Sequence, residues 1–248
     1  MKKLKKLFSS SRTNIAAVAV AAAMIVGVSV GVAFAASRVQ MSDIGVSLLE
    51  NGEKISWRNY VTPEGGPGEW VVGSGVLLTH MLDETDGKLA YNHAYTENLA
   101  VENTGSINEY VRVSIFRYWE DPNSLTDKGE PKKLTGMLPE YIDLSILADD
   151  TGIANGWVVD TQSSTPERVV LYYTRLLNAG ETTPDFSDFL TINSAVDYDT
   201  NEDGLSYKGM RFILRVDVDG VQEHNADDAI QSAWGRHVTV SDGILSLN

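Results

Sequence analysis

The side chains that could do chemistry are few, and most stand alone. The four histidines, His80, His93, His224 and His237, never form the His-Glu-x-x-His spacing that puts two zinc ligands on one helix face with a general base between them. Cysteine is absent, which removes a thiol nucleophile, a Cys-rich zinc site, disulfides and a lipobox lipid anchor. Serine and aspartate are plentiful, but beyond the amino-terminal apolar run no Gly-x-Ser-x-Gly elbow supports a Ser-His-Asp triad. No catalytic residue is assigned on these grounds.

One stretch has metal-ligand spacing. Asp197, Asp199, Asn201 and Asp203 place side-chain oxygens at alternate positions before Gly204, as in the first half of a loop that curls around Ca²⁺. Counted from Asp199, the twelfth position is Met210, where a bidentate Glu would close an EF-hand. Two readings stay open: a weak extracellular Ca²⁺ site, or an acidic turn between strands. No other cofactor is expected. The tryptophans Trp57, Trp70, Trp119, Trp157 and Trp234 could stack on sugar rings, but they are scattered beside apolar residues and read as packing residues.

The elements around these residues alternate with a period of two. Val111, Val113 and Ile115 point one way, while Arg112, Ser114 and Phe116 point the other, the pattern of a half-buried strand from Tyr110 to Tyr118. The same period recurs in Ile142, Leu144 and Ile146, in Arg168 to Thr174, and in Phe212, Leu214, Val216 and Val218. Turn clusters separate these segments at residues 63–68, at Asn103-Thr104-Gly105 and at Asp219-Gly220. The pattern predicts an all-β protein, an antiparallel sandwich of jelly-roll type, with a short helix over Ala226–Trp234. Asn225 is its expected cap and Gly235 its left-handed stop. The polar stretch Glu120 to Pro139 reads as a long surface loop.

The amino terminus sets the compartment. Lys2, Lys3, Lys5, Lys6 and Arg12 precede an uncharged apolar run from Ile15 that closes on Ala33-Phe34-Ala35. Small residues at Ala33 and Ala35 suit the two narrow pockets of a signal peptidase, so cleavage is expected after Ala35. Residues 1–35 are then a signal peptide and 36–248 a single sandwich domain. An apolar run of about 20 residues is also long enough to stay in a bilayer as an uncleaved anchor. Either way the folded part faces outward.

The formal charge is −14; the five Lys and Arg of the first 35 residues have no Asp or Glu beside them, so the remainder carries −19. Phosphate binding needs clustered positive charge, which excludes nucleic acid as a natural partner. An exported chain without cysteine suits a single-membrane, Gram-positive type of cell surface. A strand is also expected just after the cleavage point, where Ile44, Val46 and Leu48 alternate with Gly45, Ser47 and Leu49. The segment from Ala36 to about Leu49 could pair within its own sheet, or leave to fill an open edge on a second copy.

Three phrases carry a family resemblance. Asn98 to Trp119, NLAVENTGSINEYVRVSIFRYW, resembles a strand-turn-strand segment of the TasA/camelysin family of Gram-positive surface proteins. Tyr172 to Pro184, YYTRLLNAGETTP, is similar to a second family phrase, a Tyr-rich strand followed by a Gly-Glu-Thr turn. Arg211 to Gln222, followed by Asn225 to Trp234, looks like the closing strand and short helix of proteins carrying the SipW-type signal. The order of all three fits, although the amino-terminal apolar run is longer and richer in Ala and Val than the family pattern.

The resemblance implies a jelly-roll subunit, exported through a dedicated signal peptidase and assembled into biofilm-matrix fibres. It also implies self-association as the main partnership, with an accessory matrix subunit as a further partner. The leading expectation is a non-enzymatic, secreted structural protein. Its alternatives are a camelysin-type secreted metallopeptidase, for which no catalytic motif is matched, and a monomeric surface adhesion module.

Overall fold

The computed structural model describes residues 33–34, 37–41, 46–55, 58–61, 69–72, 75–78, 80–127, 129–149, 152 and 154–248. The apolar run ahead of Ala33, together with Ala35, Ile44, Trp57 and the turn at 63–68, lies outside these residues. In chain order the first strands are β1 (Ala33–Phe34), β2 (Ser37–Met41), β3 (Val46–Glu50), β4 (Glu53–Lys54), β5 (Arg58–Val61), β6 (Glu69–Val72) and β7 (Gly75–Leu77). The body follows with β8 (Tyr95–Asn103), β9 (Glu109–Leu125), β10 (Pro131–Leu134), β11 (Ile142–Ile146), β12 (Trp157–Val159), β13 (Arg168–Tyr173), β14 (Ser187–Ile192) and β15 (Arg211–Gln222). Helix α1 (Ala226–Trp234) and the hairpin of β16 (Val238–Ser241) and β17 (Ile244–Leu247) close the chain.

These strands build the expected all-β sandwich. The larger sheet runs β12-β13-β9-β15-β2-β7, with β1 also paired to β15 and β10 to β9; the smaller runs β11-β14-β8-β3-β4. From β8 onward the chain crosses between the sheets repeatedly, β8 in the smaller, β9 in the larger, β11 back, β13 across, β14 back and β15 across. That alternation is the jelly-roll way of wrapping one core between two sheets. Antiparallel pairing holds nearly everywhere, and β1 and β2 are the strands that pair parallel, both to β15.

The centre is the β9/β15 ladder, which pairs without interruption from Glu109↔Gln222 to Glu120↔Arg211. Its inward residues Val111, Val113, Ile115, Phe212, Leu214, Val216 and Val218 are all buried, as their alternation requires. Trp119 and Trp157 are fully buried as well, and their indole N–H groups donate to the carbonyls of Leu138 and Pro184.

A third layer covers part of the larger sheet's outer face. There Tyr110, Val158, Val170, Tyr172 and Val221 pack under Ala226 and Ile230 of α1 and under Val238 and Leu245 of the hairpin. This is why Val170 to Tyr173 are buried on both faces of β13. The helix has the expected bounds and ends at Gly235 with φ +69°. Asn225, however, makes no side-chain cap; it is itself left-handed at φ +52°, and Asp227 of the first turn instead accepts the Val240 N–H at 2.9 Å. The ion pair of Arg236 with buried Asp160, at 3.1 Å, pins the end of the helix to the sheet.

Two local expectations are corrected. Glu120 to Pro139 is not a loop throughout: β9 continues to Leu125, and β10 folds back on it with Lys133 opposite Glu120 and Leu134 opposite Trp119. Polar composition misleads here because the extension is a two-stranded ribbon with water on both sides. Asp219-Gly220 is not a turn either, since β15 runs through it to Gln222. A Cβ at position 220 would stand 2.5 Å from Glu109 Oε2, so the glycine makes room for a buried carboxyl rather than for a bend.

Candidate functional site

The amino-terminal segment visits both sheets. Strand β2 lies between β15 and β7, parallel to the first (Val216 opposite Val39) and antiparallel to the second (Arg38 opposite Val76). Four residues later β3 pairs antiparallel with β8 in the other sheet, Val46 opposite Asn103 and Glu50 opposite Leu99. Val46 and Leu48 of the anticipated assembly strand are buried in the monomer's own core, while Ser47 is half-buried on the other face. Ala33 sits in β1 beside Arg211, so a cut after Ala35 would leave β2 as the first strand of the chain.

The seat of β2 is defined by main-chain chemistry. Strand β15 has β9 along one side and β2 along the other over Arg215–Val218. Without β2, the amides and carbonyls facing it lose their partners and present an open edge that another strand can fill. The neighbour beyond, β7, is three residues long and ends at Leu77; the next residue, Leu78, is a leucine in the left-handed region at φ +64°. That conformation costs about 1–2 kcal/mol for a residue with a Cβ. Leu78 is nonetheless buried, and its N–H donates to Glu50 Oε1 at 2.5 Å.

Two buried carboxyls, Glu97 and Glu109, and the half-buried Glu50 lie near this segment, and sequence reasoning missed all three. Glu97 shares its inward register with Tyr95, Leu99 and Val101 in β8, and Glu109 shares its own with Val111 and Val113 in β9. An acidic residue in phase with an inward apolar series was the available signal. A side-chain hydrogen bond joins Glu50 to Glu97, which requires that one of the two hold a proton. Burial first, and then the neighbouring Glu50 charge, raises Glu97 well above the usual carboxylate range; burial also raises Glu50, against the pull of the Leu78 N–H. Glu109 has no hydrogen-bond partner on either oxygen, and burial pushes it up to about 7.

No protein-family model matches this sequence, and no curated protein or solved structure matches it. Function has to be argued from the site.

The phrases that carried the resemblance do meet in space. Asn103 accepts the Gly105 N–H in an Asx turn and donates through Nδ2 to the carbonyls of Ile107 and Leu177. Its own N–H and C=O pair with Glu181 and Gly180, and Thr183 exchanges hydrogen bonds with Val101. The Asn-Thr-Gly turn and the Gly-Glu-Thr turn therefore lock together at one end of the sandwich, beside the start of β3.

The acidic loop is organised by its own hydrogen bonds. Asn201 Oδ1 accepts the N–H groups of Asp203 and Leu205, and Asn201 N–H donates to the Leu205 carbonyl. Asp199 accepts the Tyr141 hydroxyl at 2.5 Å and the Thr200 N–H, which lowers its pKa, the Tyr141 bond contributing most. Asp197 pairs with Lys208 at 3.5 Å. Among the described residues no three His, Asp or Glu side chains converge as a ready-made metal cage. His80 pairs with Asp83 and His93 with Glu84, both at the surface, and Glu223 accepts from Asn108.

Proposed function

We propose that the chain is a secreted structural subunit that polymerises into an extracellular matrix fibre by strand donation, with the segment around β2 leaving its own seat to fill that of the next copy. One observation carries the reading: β2 pairs parallel to β15 in a sheet that is antiparallel apart from β1 and β2, and it forms no hairpin with either neighbour. A strand paired through its main chain to β15 and β7, at the new end created by signal cleavage, can exchange for an identical strand of another copy at little net cost. Head-to-tail exchange does not close, so it propagates a filament. The resemblance to TasA/camelysin surface proteins and the jelly-roll wrapping support the same conclusion.

Strand β3 belongs to the fixed part, because Val46, Leu48 and Leu49 are core residues whose removal would open a cavity. The test follows from that division. Mature protein starting at Val46 should stay folded and β-rich by circular dichroism, yet form no filaments in negative-stain microscopy. Filaments of normal appearance from that truncation would sink the proposal. A casein digestion with and without chelator, run on the same material, addresses the camelysin-type peptidase alternative.

A further inference from the structure

Between the end of β3, the middle of β8 and the turn after β7 lies a cleft of about 620 Å³, lined among others by Glu50, Glu53, Glu84 and Glu97. Of the basic side chains near it, Lys54 bridges to Glu102 at 2.8 Å, and the imidazoles of His80 and His93 pair with Asp83 at 3.0 Å and with Glu84 at 3.2 Å. Among the described residues no Lys or Arg forms an ion pair with Glu50 or Glu97. Glu97 lines the cleft, is only 2% exposed, and its Oε1 has no hydrogen-bond partner. A buried carboxyl oxygen left unpartnered is costly, and a ligand in the cleft would satisfy it.

We propose that this cleft is a site for a hard divalent cation, Ca²⁺ or Mg²⁺, held by the carboxylates of Glu50 and Glu97 with water completing its shell. The inference stands apart from the fibre assignment and from the 197–203 loop. Two carboxylates with retained water suit Mg²⁺, and Ca²⁺ accepts the same oxygen ligands at longer range and higher number. The second Glu50 oxygen is already fixed, because the left-handed Leu78 aims its N–H at Oε1. Strain of that kind gathers at sites where the backbone must present a group in one direction. When no cation is present, the proton shared by the two carboxyls holds them together. A bound cation replaces that proton and ties together three segments, the end of β3, β8 and the turn at Leu78.

The test is thermal unfolding of the full mature chain, with and without each ion. For a dissociation constant near 1 mM, about 10 mM Ca²⁺ or Mg²⁺ should raise Tm by about 3–6 °C. Glu97→Gln keeps the hydrogen bond to Glu50 and removes the second charge, so it should fold with an unchanged or higher Tm and lose the ion-induced rise. Glu50→Gln should lose the rise as well. The double variant D199N/D203N should retain it, which separates this cleft from the acidic loop. The proposal is overturned if neither ion raises Tm of the wild-type chain, if Glu97→Gln keeps the full rise, or if the rise disappears only in D199N/D203N.

Discussion

Along the middle of β9 and β15 the inward positions hold Val, Ile, Leu, Phe and Trp, and the ladder between them is unbroken. Along β3 and β8, on the amino-terminal side of the same core, the buried positions include Glu97 and Asn103, and Glu109 faces Val46 across Gly220. The first region is held by apolar burial, at about 25 cal/mol per Å² and independent of pH. The second holds groups whose stability depends on protons, on specific hydrogen bonds and on what else is bound. A sandwich built this way has a permanent half and a conditional half, and the strand proposed to move, β2, lies against the far side of β15, outside the conditional half.

The largest expected effect tests the permanent half. Trp119→Ala removes a fully buried indole that packs edge-on against Tyr207 and Phe212, and should destabilise by about 3–5 kcal/mol. Urea unfolding would show it as a lower midpoint at every pH. A loss that changed strongly with pH would blur the contrast between the halves.

Next comes the pH response of the conditional half. Glu109 has the ordinary carboxylate value of 4.5 when unfolded, and burial raises it to about 7 when folded. Its contribution is therefore fully present below pH 4.5 and is lost as pH rises through 7, because an ionised carboxylate must then stay buried. The wild-type chain should lose about 2–3 kcal/mol from this group between pH 4.5 and pH 8. Glu97, also raised, adds to the decline in the same direction. In Glu109→Gln the stability curve should be flatter, with the variant gaining on wild type at pH 8. Parallel curves for the two proteins would show that Glu109 is not what makes this half pH-dependent.

Asn103→Ala should cost about 1–3 kcal/mol, since it leaves the carbonyls of Ile107 and Leu177 and the Gly105 amide without their side-chain partner. Hydrogen exchange should then show the start of β3 and residues 177–183 losing protection together, while the β9/β15 ladder keeps its own. Uniform loss across both sheets would mean that the two halves unfold as one unit. The smallest effect is expected at Arg112, which pairs with Asp219 at 2.6 Å and lies over the Trp234 ring at 5.1 Å on the outer face. Arg112→Ala should change stability by about 1 kcal/mol or less, and added salt should reduce the wild-type advantage. A larger loss would mean that the third layer contributes to the permanent half.

Much of this could be read from the chain itself. Alternation located β9, β11, β13 and β15 and their inward residues, because a period of two is imposed by the strand and needs no knowledge of neighbours. The bounds of α1 and its stop at Gly235 were also local, set by a left-handed residue the helix could not pass. Tertiary structure decided what local patterns do not encode. Glycine at 220 looked like a turn and is a space kept for Glu109; a polar stretch looked like a loop and is the β9/β10 ribbon; the outer face of β13 is dry because α1 and the last hairpin lie on it. The pairing of Glu50 with Glu97 was equally hidden, since the two stand on different strands and meet only when β3 lies against β8. Alternation says which way a side chain points, but only the packed neighbours decide whether it meets water, carbon or another charge.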